Sequence, residues 1–136
     1  MIYIGSGEQV PQSDNILYCG RVLHDDIPKY LSAADFFVLP TLAEGCCNAI
    51  IEAMACGLPI ISSKGEFNDD ILDDAYSIRV DPQNIEDIHC GLKYLCDDHE
   101  RRVEMSKMAV LSAKEFSIQK RASKLLDFIG VEQCRM

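Results

Sequence analysis

Residues 36–61 constrain the fold more than any other part of this 136-residue chain. Phe36-Phe37-Val38-Leu39 is a continuous apolar run stopped by Pro40, the pattern of a central strand buried on both faces. A helical stretch follows from about Cys47 to Cys56, closed by Gly57 with Pro59 just beyond, and Ile60-Ile61 makes the next buried strand. Strand, helix and strand in this order make a βαβ unit, whose two strands run parallel.

The flanking sequence extends the same alternation. Ile2 to Ile4 reads as a short strand running into Gly5-Ser6-Gly7, and Ile16 to Cys19 as a second, closed by Gly20. Asp25 or Asp26 is placed to cap a helix carrying Ile27, Tyr30, Leu31 and Ala34 at helical spacing. Ser77 to Val80 reads as a further strand. Helical stripes follow at Ile85, Ile88, Leu92 and Leu95, and at Val103, Met105, Met108, Ala109 and Ser112. A last helix, carrying Leu125, Leu126 and Ile129, begins near Ser117 or Ile118. The expected fold is α/β: a Rossmann-like open parallel sheet of four or five strands with helices on both faces, in one domain over residues 1–136. The chain opens on a strand with no βα unit before it, which reads as a domain truncated at its N-terminal edge.

Composition narrows the function classes. A net charge of −9 and few aromatics argue against a nucleic-acid partner, which calls for a clustered basic surface. No apolar run approaches the roughly 20 residues of a membrane helix. Met1 to Gly5 has neither a basic leader nor a cleavage site, so no signal peptide is expected. The seven cysteines include no C-x-x-C pair and the three histidines are far apart, so no metal site is expected. Leaderless and thiol-bearing, the chain is expected in a reducing cytoplasm.

The chemistry concentrates between Pro40 and Ser62. Around Glu52 the sequence is apolar on every side, from Ala49 to Ala55, so a helix buried all round is expected. A carboxylate there needs a partner or costs roughly several kcal/mol in desolvation. Ligands on open α/β sheets bind beyond the carboxyl ends of the strands, where residues 41–48 fall. Free amides at a helix start hold phosphate oxygens without bulk positive charge. With the helix starting near Cys47, Glu52 lies about one turn on, roughly 7 Å, within reach of the vicinal hydroxyls of a ribose. Glu44 would stand on the other side of the phosphates, near a sugar. A second account stays open on chemistry alone: Glu52 bonds neighbouring backbone and Glu44 is a solvated loop acid.

Glu44 and Glu52, with seven residues between them, resemble the E-x7-E motif of family-4-type retaining glycosyltransferases of the two-domain GT-B fold. Residues 34–40 are similar to that family's "ADxxVLPS" strand, and Glu52 to Ile61 to its "EAMAxGxPVI" stretch. Asn15 to Val22 resembles "NVxFxGxV", Ile4 to Gly7 resembles "xVGxGP", and Phe116-Ser117 resembles the start of its C-terminal helix. The resemblance implies the C-terminal, donor-binding half of such an enzyme, with the N-terminal acceptor-binding domain absent and any membrane association carried by that domain. It implies a nucleotide-diphospho-sugar as co-substrate and no metal or other cofactor. Glu52 then matches the glutamate that binds the ribose. Glu44 matches the catalytic one near the donor sugar, which supports the charge that develops on transfer. Gly45, Cys46, Cys47 and Asn48 match the loop whose amides contact sugar and diphosphate, and Arg21 and Val22 follow the turn where the base rests.

Cys46-Cys47-Asn48 departs from the aromatic-Gly pair usual after Glu-Gly, which leaves the donor sugar unread. The two thiols are expected to pack as small hydrophobes rather than react. The early loop whose Arg and Lys grip the diphosphate has no counterpart, leaving Lys64 and Arg21 as nearby cations. Two other classes fit the architecture. One is a sugar-nucleotide epimerase; the other is a non-catalytic α/β module used for protein contact.

Overall fold

A computed structural model describes residues 1–8, 10–43 and 47–130. Among the described residues five strands and five α-helices follow in this order: β1 (Ile2–Ile4), β2 (Leu17–Gly20), α1 (Ile27–Ser32), β3 (Phe37–Leu39), α2 (Asn48–Ala55), β4 (Ile60–Ser63), β5 (Ser77–Val80), α3 (Ile85–Asp97), α4 (His99–Ala113) and α5 (Ile118–Phe128). Every pairing is parallel. The strands form two ladders, however, β1-β2 and β3-β4-β5, and not the single sheet the alternation suggests.

The three-stranded ladder holds the core, and its pleat divides that core in two. Ile60 faces one side with Phe37 and Leu39, where α2, Leu31 of α1 and Ala109 of α4 cover it. Ile61 faces the other with Val38 and Val80, against Leu95 of α3 and Met105 of α4. Successive strand residues point to opposite faces, so one apolar pair, Ile60-Ile61, serves both layers. Helices therefore lie on both faces of this sheet, as expected. β4 is buried along its whole length, while β3, expected to be buried on both faces, is half-buried.

Helix ends follow local chemistry where a side chain reaches the free amides. Asn84 caps α3, accepting from Glu86 and Asp87; Asp98 caps α4 and Ser117 caps α5. The expected cap at Asp25 or Asp26 does not form. A 3-10 turn, His24–Asp26, runs into α1, and Asp26 instead accepts from Lys29 Nζ at 2.7 Å. α2 ends as the sequence requires: Gly57 takes φ +78°, and Leu58 N–H bonds the Ala53 carbonyl at 3.0 Å.

The candidate donor site

Parallel strands put all their carboxyl ends on one edge, and in the three-stranded sheet that edge is tied together by side chains. Ser62 Oγ donates to the Leu39 carbonyl at 2.8 Å, and Ser63 Oγ donates to the Thr41 carbonyl. Asn68, 1% exposed, donates from Nδ2 to the Ser63 carbonyl at 3.0 Å. The exits of β3 and β4 are thus pinned to each other just before residues 44–46, which lie outside the described residues. Among the described residues Thr41 Oγ1 and Asn68 Oδ1 are buried without a hydrogen-bond partner. Hydroxyls and an amide thus tie the exits of β3 and β4, with the Lys64–Asp87 ion pair beside them at the ends of β4 and β5.

α2 rises from this edge. Its N-cap residue, Cys47, has extended backbone and supplies no side-chain cap, and the first turn carries no acidic residue. The longer helices α3, α4 and α5 each spend a side-chain oxygen on their first amides; α2 does not. Its amide end is thus electrostatically suited to an anion. Cys47 is buried, in keeping with a packing role. Asn48 is exposed, and its Oδ1 accepts from Arg121 Nη1 of α5 at 3.4 Å.

Glu52 lies one turn further along α2. The helix is not buried all round, as its apolar sequence suggested: Ile50, Ala53 and Met54 are buried, whereas Ala49 and Ala55 are exposed. Alanine methyls mark no face strongly, so an Ala-rich helix reads as more apolar than it packs. Glu52 stands at the half-buried margin. Its carbonyl accepts from Cys56 N–H at 3.1 Å, but no hydrogen bond or ion pair to its carboxylate is found among the described residues.

The remaining expected residues are distributed as follows. Glu44, Gly45 and Cys46 lie outside the described residues. Arg21 and half-buried Val22 follow β2, on the separate ladder, where Arg21 Nε donates to Ser6 Oγ at 2.9 Å. No described hydrogen bond joins Arg21 to α2. Lys64 is engaged elsewhere: its Nζ pairs with Asp87 Oδ2 at 2.9 Å. The Asp81 amide donates to the same Asp87 oxygen at 2.7 Å. That amide first and Lys64 second hold the Asp87 carboxyl below the usual aspartate range. Arg121 is the cation that sequence reasoning missed. It sits 73 positions from Asn48, and no local pattern announces that α5 returns to the start of α2. A separate concavity between α3 and α4, lined by Cys90, Lys93, Tyr94 and His99, lies away from the strand ends.

Residues 6–111 match the family model "Glycosyl transferases group 1". The chain is 34% identical over 103 residues to the O-antigen chain mannosyltransferase B of Escherichia coli, covering 75% of this chain and 26% of that protein. It is 27% identical over 121 residues to a D-inositol 3-phosphate glycosyltransferase of Paenarthrobacter aurescens, covering 88% and 30%. The structure of Anabaena Alr3699/HepE in complex with UDP and glucose superposes with a TM-score of 0.77 at 16% identity, over 88% of this chain and 33% of that one. The chain thus spans less than a third of the length of these relatives, and its α/β fold is that of GT-B glycosyltransferases. Among the described residues, no helix is long and apolar enough to cross a membrane.

Proposed function

This chain belongs to the glycosyl transferases group 1 family, and we propose that it is the donor-binding part of a retaining transferase that moves a hexose-type sugar from a nucleotide diphosphate. The observation that carries this reading is Glu52. It is a half-exposed carboxylate without a described partner, one turn above an uncapped helix start at the carboxyl ends of parallel strands. A ribose presents two adjacent hydroxyl donors, and a carboxylate accepts both. The diphosphate then lies toward the amides at Asn48, with the helix dipole and Arg121 offsetting its charge. Glu44, ahead of the helix in sequence, supports the positive charge that develops on the sugar as the diphosphate leaves, while the helix dipole and basic side chains offset the charge of the leaving diphosphate in place of a metal. The acceptor is held by an N-terminal domain outside this chain, which alone turns over little or no sugar.

Calorimetric titration of the 136-residue protein with UDP, GDP and ADP tests this. One of them is expected to bind, and Glu52→Gln to weaken that binding about tenfold or more, as two charge-assisted bonds of ~1.5–3 kcal/mol each give way to one neutral bond. Equal affinity in the variant, with the fold intact by circular dichroism, removes the ribose assignment. Turnover of a nucleotide sugar by the chain alone would overturn the half-enzyme reading.

A further inference from the structure

The β3-β4 ladder ends one rung early, where the chain leaves the sheet for the candidate site. Phe37 N–H bonds the Pro59 carbonyl, and the pairs continue in register to Leu39 and Ser62. Parallel bonding alternates every second residue, so the next rung on this edge would join Thr41 N–H to the Ser63 carbonyl. That rung is absent among the described residues. Asn68 Nδ2 holds the Ser63 carbonyl instead, at 3.0 Å, with Ser62 Oγ further off at 3.4 Å. Ser63 Oγ in turn donates to the Thr41 carbonyl. Two side-chain bonds thus stand where one backbone bond would continue the sheet.

Packing alone does not account for these residue types. β4 is wholly buried, and the Ser62 hydroxyl finds its acceptor inside the ladder, on the Leu39 carbonyl at 2.8 Å. The Ser63 hydroxyl reaches outside it. Asn68 is 1% exposed, and its Oδ1 is buried without a partner, a cost in stability that a leucine of similar shape avoids. What Asn68 contributes is therefore the Nδ2 bond. Its place is fixed independently of Thr41. Asn68 N–H bonds the Gly65 carbonyl at 3.0 Å, and its own carbonyl accepts from Ile71 and Leu72. Arg79 of β5 holds Asp69 and the Leu72 carbonyl. The departing chain has no other anchor: Leu42 is 69% exposed, and among the described residues no further hydrogen bond reaches residues 40–43.

We propose that Ser63 and Asn68 are positioning residues for the sugar donor. By ending the ladder at Leu39 and tying Thr41 through its carbonyl, they fix where the chain departs toward Glu44 and the start of α2. A further rung would draw Thr41 into the strand and move that departure point. Misplacing reacting groups by about 1 Å costs on the order of a hundredfold in rate, so loop residues that contact a substrate need a fixed origin. Neither side chain touches the donor; both act through Thr41. The consequence for binding rests on the reading of this chain as a donor site, whereas the early end of the ladder does not.

The test compares Asn68→Leu, Ser63→Ala and Ser62→Ala in the 136-residue chain, each checked for fold by circular dichroism. Ser62→Ala is the reference, since its lost bond goes to a residue already held in the ladder. In Asn68→Leu the Thr41 amide is expected to exchange about tenfold more slowly or better, as it takes the freed Ser63 carbonyl. In Ser63→Ala the backbone order parameters of Thr41, Leu42 and Ala43 are expected to fall. Both variants should weaken binding of whichever of UDP, GDP and ADP the unsubstituted chain takes up, by about tenfold. Ser62→Ala should leave exchange, order and affinity unchanged. Unaltered Thr41 exchange in Asn68→Leu, unaltered order in Ser63→Ala, or equal effects in Ser62→Ala overturn the proposal. So does full nucleotide affinity in both variants. Should Asn68→Leu not fold, Ser63→Ala decides alone. If the unsubstituted chain binds none of the three nucleotides, the donor reading falls, and exchange and order still judge how the ladder ends.

Discussion

The β1-β2 ladder and the β3-β4-β5 ladder are both rich in apolar residues but differ in burial, most sharply between exposed β2 and fully buried β4. Ile2, Tyr3, Ile4, Leu17 and Tyr18 are as apolar as Phe37, Val38, Ile60 and Ile61. Yet no described residue before Leu31 is buried, while Ile60 and Ile61 are completely so. The first ladder is held by its own ladder bonds, the Tyr3–Tyr18 ring contact at 5.8 Å and the Tyr18 hydroxyl on the Gly5 carbonyl. The second has α2, α3 and α4 packed on its two faces. A strand becomes stable through what covers it, not through its own hydrophobicity, and two strands alone are marginal in water.

The largest effect expected from this contrast is in truncation. Ile61→Ala removes a completely buried side chain from the sheet centre and should cost about 2–5 kcal/mol, read as a lower midpoint in urea. Leu17→Ala in β2, where the side chain is 62% exposed, should shift the same midpoint by about 0.5 kcal/mol or less. Comparable losses at the two sites would show that the ladders share one core.

Gly57→Ala probes the join between α2 and β4. The glycine sits at φ +78°, and an added Cβ would lie 3.1 Å from Ser106 Oγ of α4, so a loss of roughly 1–2 kcal/mol is expected. Gly20→Ala at the end of β2 also meets strain, at φ +65°, but its nearest described neighbour is the Tyr18 hydroxyl at 4.0 Å. It should therefore cost less than Gly57→Ala in the same unfolding assay. The reverse ranking would break the comparison.

The smallest effect is electrostatic. The Asp87 carboxyl is held below its ordinary range by the Asp81 amide and Lys64, so its contribution is fully present above the ordinary aspartate range. It is lost as pH falls through that range and the lowered value beneath it, because the unfolded chain takes up the proton first. Asp87→Asn should flatten the acid limb of stability against pH slightly. An unchanged limb would mean that the exposed pair contributes nothing measurable.

Several elements were legible before any coordinates. Ser77–Val80 forms the strand its residues suggest, the helix after Pro40 ends at Gly57, and Ser117 starts the last helix. These are decided within a few residues by chain stereochemistry and capping. Other features could not be read from local sequence. Leu125 of α5 and Ile129 just beyond it keep helical spacing yet are 61% and 57% exposed, since periodicity marks a face that wants covering without saying what covers it. Asp26 has the right type for a cap, but Lys29 captures it. The candidate site divides in the same way. Glu52 and Asn48 were legible because α2 is, whereas Arg121 was not, and Glu44, Gly45 and Cys46 lie outside the described residues.

The sequence by itself determined the strand–helix alternation, the parallel sense that short strands joined by helices impose, and the position of a carboxylate one turn into α2. Each depends on neighbours within about ten residues, where local dihedral preference and apolar spacing decide the outcome. Only the tertiary structure decided that the strands divide into two ladders, that Ile60 and Ile61 serve opposite layers, and that Arg121 meets Asn48. Those outcomes depend on which surfaces meet across tens of residues, and apolar packing, being non-directional, leaves no local mark of its partner.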